Sequence, residues 1–179
     1  MAAFAVAPPI SVDEYLRSVY EPDMDFVDGV LEDRNSGEFD HAELQSEILT
    51  IFHNNRSQWQ VKAHIGRRVQ VAPTRFRVPD VCVISSSAPQ ERIVRTPPLL
   101  CIEILSPKDR FIQFARKRYD YIAMGVPEVW VFNPTARTVD TCLPDGSATI
   151  HRAGALNLAG TAIELHLADI FKVVDENRS

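Results

Sequence analysis

The run Leu99-Leu100-Cys101-Ile102-Glu103-Ile104-Leu105 holds a single ionisable side chain, Glu103, among apolar neighbours. Pro97-Pro98 and Ser106-Pro107 bound it, and a short apolar run between such breakers predicts a buried central strand. An ionised carboxylate placed there costs several kcal/mol unless a cation meets it. A second acid, Asp80, heads another apolar run, Val81-Cys82-Val83-Ile84. Two carboxylates on buried strands read as half of a divalent-metal site. The competing reading is a Glu paired to a neighbouring Arg in a partly covered strand.

Working outward, residues 109–124 predict a helix that Gly125-Val126-Pro127 ends. Glu128-Val129-Trp130-Val131-Phe132 reads as the next strand, and residues 137–143 and 147–151 as a hairpin around Pro144-Asp145-Gly146. A short helix near 167–173 closes the chain. Upstream, Ser11-Val12-Asp13-Glu14 forms a capping box with Ile10 and Tyr15 as its hydrophobic staple, starting a helix to about residue 20. Asp28-Gly29 turns a hairpin between Phe26-Val27 and Val30-Leu31-Glu32. A longer helix follows with Asp40 as N-cap and Glu43 at its third position. Its apolar stripe is Leu44, Ile48, Ile51 and Phe52, and His41 projects from the same face. Strands are expected over 60–65, 67–71 and 78–84, then a loop over 85–98. Strands with helices inserted between them place the chain in the α/β class.

At 179 residues, with 45% hydrophobic, the chain can bury a sizeable core, and no linker or repeat divides it, so residues 1–179 read as one domain. Cys82, Cys101 and Cys142 form no CxxC pair and read as reduced, buried thiols of a cytoplasmic protein. Residues 1–10 are apolar but short, lack a basic start and carry Pro8-Pro9, which argues against a signal peptide, and no later run is long enough to span a membrane. The net charge is −5, yet residues 62–118 carry twelve Lys and Arg against four acids. A basic middle in an acidic frame suits a phosphate-facing surface, with chance segregation of solvated charge as the alternative. The Arg67-Arg68 and Arg75/Arg77 pairs read as exposed strand faces that could touch backbone phosphates. Trp59 and Trp130 read as packing residues.

Phe114, Lys117, Tyr121 and Met124 recur at helical spacing, so Lys117 lies in an inward stripe on the helix that follows the Glu103 strand. Outward snorkelling is the alternative. The ordered set Arg77-Val78-Pro79-Asp80-Val81, the Glu103 run through Ser106-Pro107, Lys117-Arg118-Tyr119-Asp120-Tyr121 and Gly125-Val126-Pro127-Glu128-Val129-Trp130, with Asp28-Gly29 and His41 upstream, resembles the Uma-type putative restriction endonucleases of the PD-(D/E)XK nuclease superfamily. The resemblance covers roughly residues 25–134. It implies a restriction-endonuclease-like α/β/α sandwich with a central mixed sheet and added N-terminal and C-terminal hairpins. It also implies Mg²⁺ or Mn²⁺ on Asp80, Glu103 and the Ile104 carbonyl, DNA as substrate, and a homodimer that cuts both strands. The superfamily lysine falls two residues after the Glu, where this chain has Leu105. The Uma-type pattern points instead to Lys117 as the catalytic lysine. The family often has an acid directly after Asp-Gly, whereas this chain has Val30, with Glu32 two positions later on the same strand face. His41 is a candidate for the metal-water shell or a phosphate, against a satisfied histidine at a helix start.

Hard oxygen ligands, a polarised phosphoryl group and a nearby ammonium are what phosphodiester hydrolysis needs. A non-catalytic nucleic-acid-binding or assembly module on the same fold is the second reading, favoured by Leu105 and Val30. A glycosidase-like carboxylate pair ranks last, because few aromatic residues are available for a sugar cleft.

Overall fold

The computed structural model describes residues 9–34, 39–107 and 111–176. Helix α1 (Val12–Arg17) starts at the expected cap, where the Ser11 side chain accepts the Glu14 N–H at 3.1 Å. It ends early, at Ser18, whose N–H bonds back to the Glu14 and Tyr15 carbonyls. Strands β1 (Asp25–Val27) and β2 (Val30–Glu32) form the expected hairpin. Asp28 and Gly29 both take positive φ (49° and 92°), the pair of conformations that a type I′ turn demands. A Cβ on Gly29 would also meet the Pro9 side chain at 2.7 Å.

Helix α2 (Phe39–Asn54) buries His41, Leu44, Ile48 and Phe52, the face anticipated from spacing. Asp40 sits inside its first turn rather than ahead of it, where an acid still suits the helix dipole. The one-turn helix α3 (Arg56–Trp59) buries Trp59 and leads to β3 (Val61–His64). Strands β4 (Val69–Ala72), β5 (Arg75–Arg77) and β6 (Val81–Ser85) follow. The continuous strand expected over 78–84 is thus a correction. Pro79 has no N–H to give a ladder and restricts Val78, so the chain leaves one sheet after Arg77 and enters another at Val81. That break puts Asp80 at the head of β6, outside the ladder.

Strand β7 (Leu100–Ile104), helix α4 (Phe111–Met124) and strand β8 (Val129–Asn133) form the central unit. Strand β7 runs antiparallel to β6 and parallel to β8, and a parallel neighbour requires a crossover, which α4 provides. The hairpin β9 (Thr138–Cys142) and β10 (Ala148–His151) extends the sheet, giving the order β10-β9-β8-β7-β6-β3. Strand β7 is covered on both faces. Leu100, Ile102 and Ile104 pack with α2 and with α5 (Leu167–Glu176), while Cys101 packs with Tyr121 of α4. The layers are helix, mixed sheet, helix, as expected. A second sheet, β2-β1-β5-β4, lies against α4 through β4.

Strands β11 (Ala155–Asn157) and β12 (Glu164–His166) form a further hairpin that the sequence pattern did not suggest. Their Leu156 and Leu165 extend the core. All three cysteines are free and buried. Among the described residues no helix is long and apolar enough to cross a membrane.

Candidate active site

The β6–β7 register pairs Val81 with Ile102 and Cys82 with Cys101. One step before β6, Asp80 lies outside the ladder and against the end of β7. The residue after Glu103 completes the junction: the Ile104 N–H donates to Asp80 Oδ2 at 2.8 Å. His41 on α2 approaches that oxygen from the opposite layer, with Nε2 at 3.2 Å. Asp80 Oδ1 accepts from Arg34 Nη2 at 2.8 Å, and Gln45 Nε2 donates to the Asp80 carbonyl at 2.8 Å.

Glu103 points to the other face, toward α4. Its Oε2 lies 3.2 Å from Lys117 Nζ, and its Oε1 accepts from the Tyr121 hydroxyl at 2.6 Å. Lys117 and Tyr121 stand one helical turn apart, so one helix face grips both oxygens. Lys117 also reaches Asp25 Oδ2 at 3.5 Å, while Asp25 Oδ1 accepts the Val78 N–H at 2.8 Å. Asp80, Glu103, Lys117, His41 and the Ile104 backbone therefore converge at one end of the central sheet. Lys117 points inward rather than snorkelling. Leu105 packs with the apolar cluster around Tyr121 and offers no polar atom.

The buried charges set one another. Burial opposes ionisation of Asp80, but the hydrogen bond and charge of His41, with Arg34 and Lys117 behind them, hold its carboxyl below the usual range. Glu103 goes the other way. Burial pushes its carboxyl up, Asp80 and Asp25 push it further, and Lys117 and Tyr121 only partly compensate. For Lys117, burial favours the neutral amine, yet Asp25, Glu103 and Asp80 overcome it and keep the ammonium protonated. His41 is raised likewise: its own desolvation is outweighed by Asp80.

A family model described as "Putative restriction endonuclease", Uma2, matches residues 12–167. The chain belongs to the Uma2 family. A crystal structure of a protein from Anabaena variabilis, described as "a putative nuclease belonging to DUF820", superposes with a TM-score of 0.81 over 93% of this chain and 99% of that one. At 22% identity that likeness shows a shared fold. No curated protein matches the chain.

In this Uma2 protein the Arg67-Arg68 and Arg75/Arg77 pairs are tied to internal partners rather than lying free on exposed strand faces, whereas Arg92, Arg95 and Arg116 of the same basic stretch are exposed. Arg77 is only 1% exposed. It binds Asp120 through Nε and Nη2 (2.8 and 2.7 Å), and Asp25 and Glu32 through Nη1 (3.1 and 2.6 Å). Arg75 pairs with Asp28 at 2.7 Å and Asp120 at 3.3 Å. Arg68 donates to the Tyr15 and Ser18 carbonyls and to Asp23, with its guanidinium 4.4 Å above the Tyr15 ring. Arg67 bonds the Glu91 carbonyl. Alternation along β5 turns Arg75 and Arg77 to one side, where acids of the hairpin and of α4 meet them. Glu32 is a partner of Arg77 and lines the same cavity as Glu103 and Lys117, while Val30 is exposed on β2.

Asp25, Arg34, Tyr121 and Gln45 complete the site without having been singled out as site residues. Asp25 had a legible signal, an acid directly before Phe26-Val27, and the hairpin register pairs it with Glu32. Arg34 had none.

Among the described residues, no group of three or more Asp, Glu, His or Cys side chains forms a ready metal cage. Magnesium does not need one, since it keeps several waters and takes one or two carboxylates. Asp80, Glu103 and the Ile104 carbonyl are an all-oxygen set for such an ion. The upward push on Glu103 from Asp80 and Asp25 is a repulsion that a divalent cation relieves. A cavity of about 30 Å³ beside Glu103, Ile104, Lys117, Asp25, Glu32 and Arg34 has room for a water or two. The residues fit a small hard cation, with Arg34 the group that must share Asp80 Oδ1.

Proposed function

We propose that this Uma2 protein is a metal-dependent endonuclease that hydrolyses DNA phosphodiester bonds at the Asp80–Glu103–Lys117 site. The single observation behind this reading is the Lys117 ammonium, 3.2 Å from Glu103 Oε2, on a different element from the position where the superfamily usually carries its lysine. Asp80, Glu103 and the Ile104 carbonyl would hold Mg²⁺ or Mn²⁺. When bound, the ion polarises the phosphoryl group and lowers the pKa of a bound water. Lys117 orients the attacking water and stabilises negative charge as it develops on the phosphate. Asp25 keeps that ammonium charged from the far side. Tyr121 fixes Glu103 Oε1, which leaves Oε2 to Lys117 and the ion. We take the active form to be a cytoplasmic homodimer built from this single domain, because cutting both strands of a duplex commonly uses two such sites.

One observation favours the non-catalytic nucleic-acid-binding reading. Asp80 has a full set of partners in Arg34, His41 and the Ile104 N–H, so the carboxylate is satisfied without an ion. Nicking of supercoiled plasmid in Mg²⁺, Mn²⁺ or EDTA, beside Glu103→Ala, separates the two. The endonuclease reading expects nicking in metal only, and none from the variant. Equal nicking by wild type and variant, or none under any condition, favours the second reading.

A further inference from the structure

Arg34 has incomplete surroundings. Its side chain is 9% exposed. Nη2 is spent on Asp80 Oδ1 at 2.8 Å, whereas Nε is buried with no hydrogen-bond partner. A buried donor left unpaired costs about 1–3 kcal/mol, so native proteins seldom keep one without a use for it. Arg34 also lines the small cavity beside Glu103, Ile104 and Lys117, at the place where the reacting phosphate would arrive.

The other oxygen of Asp80 is held by Ile104 and His41, so an ion recruited by Asp80 must contend with Arg34 for Oδ1. A guanidinium cannot yield by losing its proton, and Asp80, Glu103 and Asp25 hold this one firmly in the charged form. It can move off Asp80 only toward another anion. The anion that DNA brings is a phosphate, whose oxygens match the fork of the guanidinium donors.

We propose that Arg34 is a phosphate-binding residue of this site, resting on Asp80 when DNA is absent and donating through Nε and an Nη to a phosphate oxygen when DNA is bound. This rests on the nuclease reading for the identity of the ligand. Arg34 then has two opposed effects. Without DNA it competes with the divalent cation and keeps its affinity low. With DNA it adds one phosphate contact and frees Asp80 for the ion, which couples metal binding to substrate binding.

The test uses the full-length protein and Arg34→Met, which keeps the stem and removes the charge. Mn²⁺ affinity without DNA is measured by calorimetry. Binding of a duplex oligonucleotide in Ca²⁺ is measured across a salt series. The proposal expects Mn²⁺ affinity of Arg34→Met to rise about tenfold or more, in line with loss of a charged hydrogen bond from Asp80. It expects the slope of log K against log salt to fall by about 0.9, one phosphate contact. Arg34→Lys, which keeps the charge, should retain the wild-type slope, and it carries the test if Arg34→Met fails to fold. An unchanged slope in Arg34→Met, or a lowered slope in Arg34→Lys, overturns the proposal. Should wild type show the expected slopes but cut no DNA, the nuclease reading fails while Arg34 keeps its role. Wild type that cuts DNA with a slope indifferent to Arg34 gives the reverse result.

Discussion

Replacing Arg77 with Met tests the charge network that supports the site from behind. The side chain is 1% exposed and binds Asp120 twice and Asp25 and Glu32 once each. Methionine fills similar volume with no donor, so the variant buries carboxylates stripped of their main cation. Removing one partner of a buried ion pair costs about 3–5 kcal/mol. Asp25 keeps the Val78 N–H and Lys117, and Asp120 keeps Arg75, which points to the lower end, about 3 kcal/mol. At about 2–4 °C per kcal/mol for a chain of this size, Tm should fall by about 6–12 °C at pH 7. Adding Asp120→Asn should restore part of the loss, since it removes an orphaned charge. Differential scanning calorimetry at pH 7 reads both effects. A fall under about 2 °C, or no recovery in the double variant, refutes the argument that Arg77 neutralises buried acids.

Three further outcomes follow from the site. Glu103 has a raised carboxyl, so in metal-free wild type its charge begins to cost stability as pH climbs past the unfolded value, about 4.3. The Tm of Glu103→Gln relative to wild type should therefore rise between pH 4 and 7, and a falling difference would mean that Lys117 needs Glu103 as a structural partner. His41 is raised by Asp80, so its stabilisation is complete below the unfolded value, about 6.5, and is lost as pH rises through the folded one. His41→Asn should accordingly cost more at pH 5.5 than at pH 9, as urea titrations at the two pH values would show. Mn²⁺ at one hundred times its dissociation constant should add about 2.7 kcal/mol, a Tm rise of about 5–11 °C, to wild type and little to Glu103→Gln. An equal rise in both would place the ion elsewhere.

The parts of the site that were legible in the sequence are those with a local cause. Glu103 stood out because a charge interrupts an apolar strand, and Lys117 because helical spacing put it in an inward stripe. The arginines were not legible. Whether Arg77 meets solvent or Asp120 depends on how β5 and α4 pack, and no local pattern records that. The break at Val78-Pro79-Asp80 was signalled by Pro79, but the apolar run behind it dominated the reading. Strands β11 and β12 are too short for alternation to show. Arg34 lies just past β2 with no periodicity to place it, and only the fold brings it to Asp80.

Single-turnover cleavage of a DNA duplex by Lys117→Ala, with metal and DNA affinity measured on the same preparation, tests the central claim most directly. The lysine acts on water and on charge that develops in the transition state, so ground-state binding should change little. Cleavage should slow by roughly 10²–10⁴-fold, and Leu105→Lys added to the variant should recover part of the rate. Cleavage at the wild-type rate, or a loss explained wholly by weaker DNA or metal binding, would contradict the assignment of Lys117 as the catalytic lysine.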